Sequence, residues 1–119
     1  MASSNLKQFL VLYLAPAPVI DEWAKTDPEK RKVAEEKMRA AWGEWMRAHA
    51  SMITSTDAGG KAKQVTPTGI SDIRNDILLY SIVEAQSHEA AAQTFVNHPH
   101  LQIPQSSIEI LEIKPIGEM

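Results

Sequence analysis

The chain has 119 residues, 44% of them hydrophobic and 23% charged, with a formal net charge of −3 at pH 7; this is the make-up of one globular domain with one core, and it excludes wholesale disorder and a fibrous repeat. Cysteine is absent, which removes disulfides, thiolate metal sites, iron–sulfur clusters and cysteine nucleophiles. Lys and Arg are interleaved with Glu, and there are only two Phe and two Tyr, so the basic footprint and stacking platforms of a nucleic-acid binder are missing and an anionic membrane surface is an equally poor partner.

Residues 1–7 read as a flexible lead into a single α+β domain that spans the chain. The opening Met1 to Asn5 is small and polar, without the basic and apolar regions of a signal peptide. The apolar run Phe9 to Ile20 is broken by Pro16 and Pro18 and is too short to span a bilayer. A cytoplasmic protein is expected.

Gln8 to Leu14 is short, aromatic and Leu-rich, is closed by Ala15-Pro16-Ala17-Pro18, and reads as the first strand. Side chains alternate along a strand, so Phe9, Val11 and Tyr13 share one face and Leu10, Leu12 and Leu14 the other. Neither face is polar. After a short helical turn near Asp21 to Lys25, Thr26-Asp27-Pro28-Glu29 opens a long helix: Thr26 or Asp27 caps it, Pro28 fits the first turn, and Glu29 suits the positive end of the dipole. The helix runs to about Ala50. Steps of 100° gather Ala34, Met38, Ala41, Trp42, Trp45, Met46, Ala48 and His49 on one arc, with Lys32, Glu36, Arg39, Gly43, Glu44 and Arg47 opposite.

Met52 to Asn75 is irregular, punctuated by Gly59-Gly60, Pro67 and Gly69, with short strands near Met52 to Thr56 and Lys63 to Thr66. Asp76 to Ala85 reads as a central strand with Ile77, Leu79 and Val83 on one face and Leu78, Tyr80 and Ile82 on the other. Ser87 caps a second helix from about His88 to Asn97, stopped by Asn97-His98-Pro99. Ile108 to Ile116 forms a last strand nearer an edge.

Two helices cover only one face of a four-stranded antiparallel sheet, and the other face is normally polar. Here both strand faces are apolar, so a partner is expected. A second copy packed sheet to sheet, a homodimer, is the simplest one, because closed two-fold symmetry is the commonest way to hide such a patch.

Phe9-Leu10-Val11-Leu12-Tyr13, Tyr80-Ser81-Ile82-Val83-Glu84-Ala85 leading into an Ala-rich helix, and His98-Pro99-His100-Leu101 followed by Ser107-Ile108-Glu109 resemble the YCII-related proteins of the dimeric α/β-barrel superfamily, over Gln8 to about Gly117. The resemblance implies a ferredoxin-like βαββαβ fold with two helices on one face of a four-stranded antiparallel sheet, and a face-to-face dimer. Among such relatives are small enzymes using a His and Asp pair, and in the wider superfamily cofactor-independent monooxygenases and lactone isomerases.

Four residues are candidates for proton transfer. His98 and His100, in the loop entering the last strand, titrate near neutral pH when unperturbed; alternatively His98 caps the preceding helix. Asp72 is the carboxylate best placed to pair with them, or else forms an Asx-type turn. His49 falls in the apolar arc beside the tryptophans, where burial would favour the neutral base. Trp42, Trp45 and Tyr80 could line a pocket for a small apolar or cyclic ligand. His98 and His100 with His88 or Asp72 lack any recognised metal spacing, and no phosphate-binding glycine motif or serine-hydrolase elbow occurs, so neither metal nor cofactor is expected. The reading is a small cofactor-independent enzyme acting on an apolar or cyclic metabolite by His/Asp proton transfer, or else a non-catalytic ligand-binding or interaction module.

Overall fold

The computed structural model describes residues 6–118. β1 (Lys7–Leu14) leads into α1 (Ala17–Ala24) and α2 (Pro28–Ala48); β2 (Ile53–Ala58), the hairpin strands β3 (Ala62–Thr66) and β4 (Gly69–Ile73), and β5 (Ile77–Ala85) follow; α3 (His88–Thr94), a 3-10 turn at Pro99–Gln102 and β6 (Ser107–Glu112) complete the domain. Most of the expected N-terminal lead lies outside the described residues, and Lys7 already belongs to β1.

The main sheet has the order β2-β5-β1-β6, antiparallel at every junction. With its helices on one face this is the expected ferredoxin-like α+β fold. The two most apolar strands, β1 and β5, take the centre, because only central strands give both edges to backbone partners and both faces to packing. Register decides the faces. Phe9 pairs with Val83, Val11 with Ser81 and Ile110, and Tyr13 with Ile108; Phe9, Val11, Tyr13 and Val83 are buried together with Ala91 and Phe95 of the α3 region. Leu10 therefore pairs with Ile82 and Leu111, and Leu12 with Tyr80, on the face that carries no helix.

α2 begins at Pro28 with Glu29 in its first turn, as its sequence dictates. Asp27 occupies the N-cap position without making a side-chain capping bond. Trp42 and Trp45 pack against the core from α2, but no residue of α2 is fully buried. Ser87 caps α3 by accepting from the Ala90 N–H at 3.0 Å.

The segment between β2 and β5 differs from the sequence reading. The strand expected at 63–66 pairs with β4, a strand that the residues themselves do not announce, in a two-stranded hairpin separate from the main sheet. Gly69, Ser71 and Asp72 are poor strand formers, so the pairing rests on the tight turn at Pro67-Thr68. Gly69, at φ +141°, is the residue that lets the chain leave that turn. No helix among the described residues is long and apolar enough to cross a membrane.

Candidate functional site

The end of α3 delivers two histidines to the interior. Asn97, at φ 67°, reverses the chain after the helix, and His98 then heads the 3-10 turn of Pro99–Gln102. His98, Pro99 and His100 are all buried, with His98 and His100 each 1% exposed. His98 therefore caps the 3-10 turn rather than α3: its Nδ1 accepts the backbone N–H of His100 at 2.9 Å.

That single bond fixes the chemistry of the ring. A nitrogen that accepts carries no proton, so in the neutral imidazole the proton sits on Nε2. Nε2 is buried and has no hydrogen-bond partner among the described residues. Around it stand Trp45 at 4.4 Å, Trp42 at 4.5 Å, Tyr13 at 5.4 Å and Phe95 at 5.8 Å, between ring centroids. Burial in this aromatic cage, reinforced by neighbouring His100 and His49, lowers the His98 pKa to about 4, so His98 is neutral at physiological pH. It is a donor there, and a base only through a nitrogen already engaged by the backbone.

The other three imidazoles are fasteners. His100 donates through Nε2 to the Leu14 carbonyl at 2.9 Å, tying the 3-10 turn to the end of β1; burial lowers its pKa, with the Leu14 and Ser107 carbonyls pulling the other way. His49 lies just beyond α2 as its C-cap. It donates from Nδ1 to the Trp45 carbonyl at 2.8 Å and stacks on the Trp45 indole at 4.2 Å, so Trp45 is flanked by His49 and His98. His88 donates to the Ile110 carbonyl at 2.7 Å.

Beneath the cage runs a chain of three hydroxyls that sequence reasoning missed. Tyr13 meets Ser81 at 2.9 Å, and Ser81 meets Thr56 at 2.7 Å. Burial raises the Tyr13 pKa, partly offset by the Ser81 bond, so the phenol stays protonated. Ser81 in an otherwise apolar strand was the available signal, but its partners lie 68 and 25 residues away.

Two expected members lie elsewhere. Asp72 sits on β4, where it binds Lys63 at 2.6 Å, and it makes no contact with a histidine; the hairpin removes it from the main sheet. Tyr80 pairs with Leu12 on the bare face of the sheet, on the opposite side from Trp42 and Trp45; Tyr13 and Phe95 take its place. Two shallow hollows run along α2, lined by residues such as Val33 and Ala34 or Ala40 and Gly43, and neither reaches the histidines. Among the described residues no group of three His, Asp or Glu is placed to hold a metal ion.

No family model matches the chain, and no curated protein matches it in sequence. Among solved structures it is similar to 5-chloro-2-hydroxyhydroquinone dehydrochlorinase (TftG) from Burkholderia phenoliruptrix AC1100, in complex with 2,5-dihydroxybenzoquinone, with a TM-score of 0.54 and 13% identity over 93% of this chain and 97% of that one. PA3566 from Pseudomonas aeruginosa is also found, at 14% identity over 92% of this chain and 94% of that one, with a TM-score of only 0.32. The likeness to the dehydrochlorinase is one of fold.

Proposed function

We propose that this protein is a small YCII-related protein that binds a planar cyclic metabolite at His98, with the Nε2–H donating to an oxygen of the ring, and that it acts on that metabolite without a cofactor. The observation that carries this reading is the buried, partnerless Nε2–H inside the aromatic cage: burying a polar group without a hydrogen bond is costly, and such groups persist where something is to be bound. Indole and phenyl faces suit a flat ring. A neutral imidazole that donates polarises a carbonyl or stabilises an enolate without needing to be charged. This role replaces the His/Asp pair, since Asp72 is bound to Lys63 and away from the cage. The dehydrochlorinase of similar fold, held with 2,5-dihydroxybenzoquinone, supports an oxygenated ring as the class of ligand.

Trp42 and Trp45 supply the readout. Titrating the protein with 2,5-dihydroxybenzoquinone and related hydroquinones and lactones is expected to quench their emission, and His98→Phe is expected to abolish the change while keeping the fold. Absence of any response across such a panel would sink the reading; binding without conversion leaves the non-catalytic carrier.

For the bare face of the sheet we propose a second copy of this chain as the occupant. The radius of gyration is 16.6 Å and the extents are 51 × 45 × 19 Å, whereas a compact domain of this length has a radius near 13–14 Å. The accessible surface is 8590 Å² against about 6,400 Å² for a compact monomer of this mass. The excess, about 2,000 Å², is shared by the bare face, the exposed hairpin and α2, and it leaves room for the roughly 800 Å² per partner that a standard interface buries.

A further inference from the structure

We infer that the β3–β4 hairpin is a clasp that closes over the second copy. This rests on the face-to-face pairing just proposed and assigns to it a segment that the sheet argument leaves out.

The hairpin is a poor structure in isolation. Every residue from Lys63 to Asp76 is exposed, so beyond the polar contacts at its base the arm buries no side chain against its own chain, and a lone two-stranded hairpin is marginal in water. It nevertheless presents Val65 and Ile70 directly opposite one another, 76% and 72% exposed. Lys63 and Asp72 share that face and pair at 2.6 Å. An apolar pair framed by an ion pair is the pattern of a contact surface, with an apolar centre and a polar rim.

Charge identifies the occupant. The bare face of the main sheet carries Leu10, Leu12, Tyr80, Ile82 and Leu111 at its centre, and strand register adds Asp57 opposite Tyr80, Glu84 opposite Gln8 and Glu109 opposite Leu12. Its strands contribute no Lys or Arg to that face. Two such faces mated alone would set only carboxylates around their shared rim, which repel. The segment from Lys61 to Asp76 brings what is missing: Lys61, Lys63 and Arg74 outnumber Asp72 and Asp76, and with Lys63 paired to Asp72 and Arg74 to Asp21 the exposed Lys61 is the cation it offers to that rim. Its base is held in place, because Arg74 grips Asp21 through two bonds of 2.9 and 3.1 Å and the Ala17 N–H donates to Asp76. These exposed contacts tie the base of the arm to α1.

The test is sedimentation equilibrium of the parent chain and of Val65→Asp/Ile70→Asp. Both positions are exposed in the protomer, so its core is untouched. The clasp requires a dimer in the parent and a dissociation constant raised about tenfold or more in the variant. A parent dimer with an equally tight variant overturns the clasp and leaves the face-to-face pairing standing; a parent that stays monomeric overturns both. Hydrogen exchange on the unaltered chain gives an independent reading: amides of residues 62–73 must slow when the protein is concentrated from monomer to dimer, and rates indifferent to concentration count against the clasp.

Discussion

The imidazole of His98 ties the candidate site to acid stability. Its pKa is about 4 in the folded chain and near 6.5 when unfolded, so between those values the unfolded state binds the extra proton. Stability is therefore full above about pH 6.5, falls as the pH drops, and has lost about 3 kcal/mol from this group by pH 4. His100, lowered by burial as well, adds to the same slope. Urea unfolding across this range is expected to show the loss, and His98→Phe is expected to flatten it. The hydroxyl chain gives a second expectation. Ser81→Ala leaves the buried Tyr13 hydroxyl and the half-buried Thr56 hydroxyl facing a methyl group and is expected to cost about 1–3 kcal/mol, whereas Tyr13→Phe removes an end of the chain and costs about 1 kcal/mol. Equal costs in denaturant unfolding would show that Ser81 is not the link.

Among the elements, α3 and the strands around it depend on a cap and a core residue that the sequence makes legible. Ser87→Ala is expected to cost about 1 kcal/mol through the lost bond to the Ala90 N–H. Phe95→Ala is expected to cost about 3–5 kcal/mol, since it removes a wall shared by Tyr13, Trp45 and His98; thermal melts check both. β1, β5 and α2 could be read directly because each has an unbroken local period or an unmistakable cap. Their faces could not be assigned, because Phe9, Val11 and Tyr13 are no more apolar than Leu10, Leu12 and Leu14, and a one-residue slip exchanges them. The long segment was harder still, since β4 is made by its turn and its partner and not by its own residues. The candidate site divides in the same way. Trp42, Trp45 and His98 were legible from helix spacing and from the stop after α3. Asp72 and Tyr80 were misplaced because their positions depend on the hairpin and on the sheet face, and the Tyr13–Ser81–Thr56 chain needs the register of three strands.

At the scale of the whole molecule, a two-layer slab 19 Å thick divides its tasks between its faces. The covered face holds the aromatic cage, and the bare face with the hairpin is the surface proposed for a second copy. The two are coupled through β1 and β5, whose alternate residues line both: Tyr13 and Ser81 look into the cage, Leu12 and Tyr80 out of it. Replacing Leu12 with Asp is accordingly expected to yield monomers while leaving the His98 cage able to bind, as light scattering and tryptophan emission together would report. The most direct measurement of the central claim is a nitrogen-15 spectrum of the histidine side chains at pH 7, taken without ligand and with 2,5-dihydroxybenzoquinone. The expected result is a neutral His98 with its proton on Nε2 and a shift of that proton signal on binding; a charged ring, a proton on Nδ1, or a His98 signal indifferent to every ring ligand tried would contradict it.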